Sequence, residues 1–269
     1  LTAGVDVQPD RLELEIVGWG LGEESWSIDK RVIYGDPNEP DVWDDLDAVW
    51  QEQFEHENGH FMKVVTAMID SGGANTQAVY NYCKPRKSRR IYPSKGDDGE
   101  SKPTAKLSKA QTGKYRRKLD IFILGVDGIK GIIYSDLKKI EPGRGYCHFP
   151  KHYTEEYFKQ LTAEKMVIVE NKGFPKRVWK KIYTRNEALD CRVYAYAAMN
   201  VLNPNFNVLA QKMAKTDKEK NNEPKLKQSE TEESFSSLVE QSEPEQKAKK
   251  RKRRRKSGFM SSLRSGLYG

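Results

Sequence analysis

Four acidic side chains hold the chemistry this sequence offers: Asp6, Asp70, Glu187 and Asp190. Asp6 sits in a run of small and apolar residues, 2–7, where a carboxylate is expensive to bury unless it is paired or holds a metal. The plainer role is a cap on the turn Gln8-Pro9-Asp10 that follows. Asp70 ends the mostly apolar run 61–69 and leads into Ser71-Gly72-Gly73. A strand that ends in an acid and opens through glycines into a helix is where α/β proteins place active sites. Glu187 and Asp190 are three apart in an Ala-rich helical stretch, so they share a face. Clustered carboxylates do not all ionise unaided, but they hold hard divalent cations, which take oxygen ligands. Two such ions about 4 Å apart stabilise both the attacking and the leaving oxygen of phosphodiester hydrolysis. Each acid alone also has an ordinary reading, as a turn cap, a helix cap or a helix N-terminal charge.

These acids come from three distant segments, so the elements must bring them together. Residues 12–17 alternate Leu12, Leu14 and Ile16 against Glu13, Glu15 and Val17, the pattern of a strand with one buried face. With 2–7 before it and 24–34 after it, tight turns predict an antiparallel meander. Helical spacing follows over 41–54, then a buried strand over 61–69, a helix over 74–83 and a short strand over 89–93. Residues 97–117 are polar and without periodicity and read as a long loop. A strand over 119–124, a helix over 127–140, a short strand over 146–149 and a helix over 154–161 with Thr154 as N-cap come next. A peripheral hairpin pairs 164–169 with 177–183 across Asn171-Lys172-Gly173. The last ordered element is the Ala-rich helix 185–202, with Asn186 as its N-cap and Asn203-Pro204 as its stop. The expected fold is α/β: a mixed central sheet, an antiparallel meander plus parallel βα units, flanked by helices. Its first and fourth strands are expected to be neighbours at the sheet centre, with the final helix across them.

Charge is unevenly distributed. Residues 211–269 hold 16 Lys/Arg and 9 Asp/Glu, leaving 31 basic and 30 acidic residues in 1–210. The far tail contains the nearly pure basic run 247–256 and is expected to be disordered and to touch nucleic acid nonspecifically. Within the ordered part, 84–118 holds 13 basic residues against 3 acidic ones, a candidate phosphate-binding surface. Lys95, Lys102, Lys106, Lys109, Lys114, Arg116 and Arg117 are its candidate DNA contacts, with Lys95 at a strand end near the acids. Only Tyr92 and Tyr115 interleave, so phosphate contact is favoured over base stacking.

Other signals are weaker. His56-Glu57-Asn58-Gly59-His60 formally matches a zinc-protease signature, but Asn58-Gly59 is a turn dipeptide that ends the helix such a site needs. Three scattered cysteines, Cys83, Cys147 and Cys191, fit reduced thiols. No apolar run is long enough to span a membrane, and no leader is expected.

Thr2-Ala3-Gly4-Val5-Asp6-Val7-Gln8, Gly18-Trp19-Gly20, Asp70-Ser71-Gly72-Gly73, His148-Phe149-Pro150 and Arg185-Asn186-Glu187-Ala188-Leu189-Asp190-Cys191 occur in this order. Together they resemble the nuclease half of the large terminase subunit of lambda-like tailed phages, over about residues 1–202. The resemblance implies an RNase H-like endonuclease that cuts concatemeric phage DNA during packaging, with two Mg²⁺ or Mn²⁺ ions. It implies Asp6, Asp70 and Asp190 as catalytic metal ligands, with Glu187 as an alternative third. It also implies double-stranded DNA, a small terminase subunit and the portal as partners, the last through residues 259–268, and the host cytoplasm as location. The packaging ATPase of that subunit has no phosphate-loop motif here, so the chain is expected to be its C-terminal half. Expected domains are 1–205, the nuclease, and 206–269, a disordered basic tail. A junction resolvase or transposase-type integrase would share the acids but not these motifs. A DNA-binding module would use 84–118 and the tail without metal.

Overall fold

The computed structural model describes residues 1–99, 101–112, 117–171 and 173–222. The chain divides into two units, Leu1–Lys218 and Glu219–Gly269. In chain order the elements are β1 Thr2–Val7, β2 Arg11–Trp19, β3 Ser25–Tyr34, α1 Asp41–Gln51, β4 Phe54–Glu55, β5 Phe61–Met62, β6 Thr66–Asp70 and α2 Thr76–Cys83. They continue with β7 Ile91–Asp97, β8 Ala105–Thr112, β9 Arg117–Gly125, α3 Val126–Asp136, β10 Cys147–His148 and α4 Glu155–Leu161. The last are β11 Glu164–Asn171, β12 Phe174–Lys181, α5 Glu187–Leu202 and α6 Phe206–Asn222.

The central sheet runs β10-β3-β2-β1-β6-β7-β9-β8. β1, β2 and β3 are the expected antiparallel meander, while β1, β6, β7 and β9 are parallel. Successive strand residues face opposite sides. Ala3, Val5, Leu12, Leu14, Ile16, Ala67 and Ile69 therefore meet α1 and α2 on one face. Met68, Phe122 and Leu124 meet α3 and α5 on the other. By the same parity Gly4, Asp6 and Asp70 stand on the α5 face.

α5 lies close on β1 because nothing there keeps it away. A Cβ added at Gly4 would fall 1.9 Å from the Cys191 carbonyl oxygen and 2.6 Å from the Ala195 nitrogen. Thr2 Oγ1 donates to the Ala195 carbonyl at 2.8 Å and accepts from Trp19 Nε1 at 2.8 Å. Ala188, Ala195, Ala197 and Ala198 are all fully buried. Gly4→Ala should therefore destabilise the chain by about 1–3 kcal/mol or more, because neither backbone can yield without tilting the helix. Urea denaturation checks this, and an unchanged midpoint would mean that α5 does not sit so close.

Four expectations are corrected. The acidic side of β2 is not solvated: Glu13 is 1% and Glu15 0% exposed. Glu13 accepts from Arg11 Nε (2.8 Å), Lys30 Nζ (2.7 Å) and Arg185 Nη2 (2.7 Å), and Glu15 pairs with Arg192, so buried ion pairs replace water. The run 97–117 is not a loop throughout: β7 extends to Asp97, and β8, Ala105–Thr112, pairs antiparallel with β9. β8 is an edge strand, where lysines rather than apolar residues are the rule, so it lacks the expected alternation. The run 61–69 splits in two, because Phe61–Met62 pairs with Phe54–Glu55 in a small hairpin. His56–His60 is its turn, with Gly59 at φ +74° and His56 N–H bonded to the His60 carbonyl at 2.8 Å, so the zinc-protease pattern is not helical. Finally, α6 occupies residues 206–222, where a disordered tail was expected. The runs 247–256 and 259–268 lie outside the described residues.

Elsewhere the local signals hold. Thr154 Oγ1 caps α4 by accepting from Tyr157 N–H, and β11 and β12 form the separate two-stranded hairpin. Among the described residues no helix is long and apolar enough to cross a membrane. The three cysteines are free thiols.

Candidate active site

Asp6 and Asp70 follow directly on Val5 and Ile69, which are paired across the parallel strands β1 and β6. The two acids thus leave the same end of the sheet side by side. Asp190 belongs to the first turn of α5, which crosses above them. Asp6 is 5% exposed, while Asp70 and Asp190 are half-buried.

The three are electrostatically strained. Burial pushes the Asp6 carboxyl up to about 6, helped by repulsion from Asp70 and Glu187 and opposed by the Gln8 side chain. That amide donates from Nε2 to Asp6 Oδ2 at 2.6 Å. Burial pushes Asp190 up to about 7, with repulsion from Asp6 next, while Lys130 and Lys181 pull it down. Asp70 is also raised by burial, offset by hydrogen bonds from the Gly72 and Ser71 backbone and the Tyr194 hydroxyl and by the charge of Lys95. Burial is thus the leading cause at all three, with repulsion between acids added at Asp6 and Asp190.

Chemically this donor set suits a hard divalent cation, which would relieve the repulsion. Among the described residues, though, no three His, Cys, Asp or Glu side chains converge within reach of one ion. Glu187 is placed differently from the other acids. Its Oε1 accepts from Arg11 Nη2 at 3.0 Å, and Arg185 Nε lies 3.3 Å from its Oε2, so its charge is already matched.

Two neighbours were not singled out as site residues. Asn186 was read as an N-cap, but its side chain caps nothing. Its Nδ2 donates to Asp190 Oδ2 at 2.8 Å and to Glu164 Oε1 at 3.1 Å, and its Oδ1 accepts from Lys181 Nζ at 2.6 Å. Nothing local distinguishes an amide that caps its own helix from one that grips a side chain a turn later. Tyr194 lies one turn beyond Asp190 on α5 and is 8% exposed, with its hydroxyl on Asp70. The i, i+4 spacing from Asp190 was the available signal.

The basic candidates do not form one surface. Lys95 follows Ser94, the register partner of Asp70, and its charge reaches Asp70. Lys102 is paired with Asp97 at 2.9 Å. Lys109 pairs with Asp120, which Lys87 also meets, and Lys106 alternates to the opposite face of β8. Lys114 and Arg116 lie outside the described residues, as does the Arg117 side chain. His148 stacks on Trp26 at 4.8 Å and bonds Glu24 at 2.7 Å, tying the edge strand β10 to the loop before β3.

Residues 1–228 match the family described as terminase large subunit gpA, endonuclease domain. The chain is 31% identical over 236 residues to the large terminase subunit of Enterobacteria phage P21, covering 85% of this chain and 36% of that protein. It is 34% identical over 210 residues to the large terminase subunit of Escherichia phage lambda, covering 75% of this chain and 32% of that one. It thus spans about a third of the length of these relatives. No solved structure matches.

Proposed function

Since the chain belongs to the family of the terminase large subunit gpA endonuclease domain, we propose that it is a divalent-metal-dependent DNA endonuclease that cuts concatemeric viral DNA during genome packaging. The single observation that carries this reading is the placement of Asp6 and Asp70 at the same end of the adjacent parallel strands β1 and β6, with the charge of Asp6 reaching Asp190 in the first turn of α5. The sheet order β3-β2-β1-β6-β7, antiparallel then parallel, supports an RNase H-like fold.

Asp6, Asp70 and Asp190 are the proposed ligands of two Mg²⁺ or Mn²⁺ ions. Bound there, such ions supply Lewis-acid stabilisation of charge on the phosphate oxygens. Glu187, held by Arg11 and Arg185, fastens the start of α5 rather than completing the ligand set. Gln8 and Asn186 orient the carboxylates of Asp6 and Asp190, and Tyr194 does so for Asp70. Lys95 is the proposed contact to a DNA phosphate beside Asp70. The nuclease is assigned to about residues 1–205, the basic remainder being a DNA-contacting tail. The proposed partners are double-stranded DNA, a small terminase subunit and the portal, met in the host cytoplasm.

The test is nicking of supercoiled plasmid with Mn²⁺, Mg²⁺ or EDTA. Cutting that needs a divalent ion and stops in EDTA is the expected result. DNA binding without cutting under every metal overturns the nuclease reading for this chain and leaves a DNA-binding module.

A further inference from the structure

The hairpin of β11 and β12 has a face that the site leaves unexplained. Lys165 and Lys180 are directly opposite in its register, and Lys176 is four residues before Lys180, on the same face by the two-residue period. All three are exposed, and none has an ion-pair partner among the described residues. Like charges directly opposite destabilise a strand pair, and a lone two-stranded hairpin is marginal to begin with. The other face seats the hairpin: Trp179 Nε1 donates to the Asp127 carbonyl at 3.2 Å and its ring meets Tyr134 at 4.8 Å. Lys181, also on that side, holds Asn186, which in turn holds Asp190. The root of the hairpin is therefore two hydrogen bonds from the acids.

We propose that Lys165, Lys176 and Lys180 form a phosphate-binding surface, which grips the backbone of duplex DNA. This rests on the nuclease reading and goes beyond it. From Lys176 to Lys180 a strand spans about 14 Å. Over that length each DNA strand carries about four phosphates. Contact with them relieves the repulsion between Lys165 and Lys180, so free hairpin and bound DNA are complementary in charge.

The experiment measures binding of a short fluorescent duplex against salt concentration, in EDTA. It compares the wild-type chain, the triple variant Lys165→Gln/Lys176→Gln/Lys180→Gln, and an equal-charge control, Lys63→Gln/Lys138→Gln/Lys151→Gln, on exposed lysines elsewhere. Three lost phosphate contacts should reduce the slope of log affinity against log salt by about 2.7, with a much smaller change in the control. A separate readout guards against a merely structural effect: Lys180→Gln should raise Tm while weakening binding. A hairpin triple variant that behaves like the control, or Lys180→Gln that lowers both Tm and affinity, overturns the assignment and leaves the nuclease reading standing. A wild-type chain that binds no duplex at all overturns both.

Discussion

Asp6→Asn should reduce metal-dependent cleavage by on the order of a thousandfold, and yet make the metal-free chain more stable at mildly alkaline pH. The second half follows from linkage. In the unfolded chain Asp6 loses its proton near 3.8, and in the fold near 6. Between these values the folded state binds more protons than the unfolded one, so this group lowers stability as pH rises. Below both values it contributes nothing, and above about 6 its full penalty is present. At 1.36 kcal/mol per unit, the penalty is roughly 3 kcal/mol. Asp190 acts in the same direction and extends the window to about 7. In EDTA the wild-type chain should thus gain stability from these groups as pH falls from about 8 to about 5. Asp6→Asn should remove much of that slope and raise the alkaline midpoint. Added Mn²⁺ should stabilise the wild type at alkaline pH and the variant far less. Urea melts across pH, with and without metal, decide the matter. A variant less stable than wild type in alkaline EDTA would show that the Asp6 charge is well compensated, and the case for a cation there would go with it.

Arg192→Ala should be among the most destabilising single changes, for a reason unrelated to the chemistry. Arg192 is 2% exposed and donates from Nη1 to Glu15 Oε1 and from Nη2 to Ser25 Oγ, both at 2.9 Å. Glu15 Oε1 also accepts from Tyr157 at 2.9 Å and from Ser27, while its Oε2 has no partner. Removing the guanidinium leaves a carboxylate sealed between β2, α4 and α5, at a cost of about 3–5 kcal/mol. The double variant Glu15→Met/Arg192→Met removes both charges and should recover most of that loss, since well-packed apolar pairs commonly match or exceed buried ion pairs. Chemical denaturation of the two variants tests this. A loss under about 1 kcal/mol for Arg192→Ala would mean that water reaches Glu15.

The elements around the site were legible because their signals are local. The meander is announced by short turns, α5 by an Ala-rich run, and Asp70 by its glycines. Asp6 and Asp70 were legible as neighbours because strands β1 and β6 pair in parallel. The β8 edge strand was not legible, since its environment is solvent and its lysines carry no period. Nor was the split of 61–69, which depends on pairing with Phe54–Glu55.

By itself the sequence determined the α/β class, the antiparallel meander with the strand ending in Asp70 beside its first strand, and the segments that carry the acids. Those features follow from periodicity and turn chemistry within a few residues. Only the tertiary structure decided how each charge is met. Glu13 is matched by Arg185 and Glu15 by Arg192, 172 and 177 residues away. Glu187 is met by Arg11, whereas the charge of Asp6 adds to the burial that raises Asp190. Whether an acid ends as a structural ion pair or as a strained candidate ligand depends on which cation the fold delivers to it. That is a property of distance in space, which spacing along the chain does not encode.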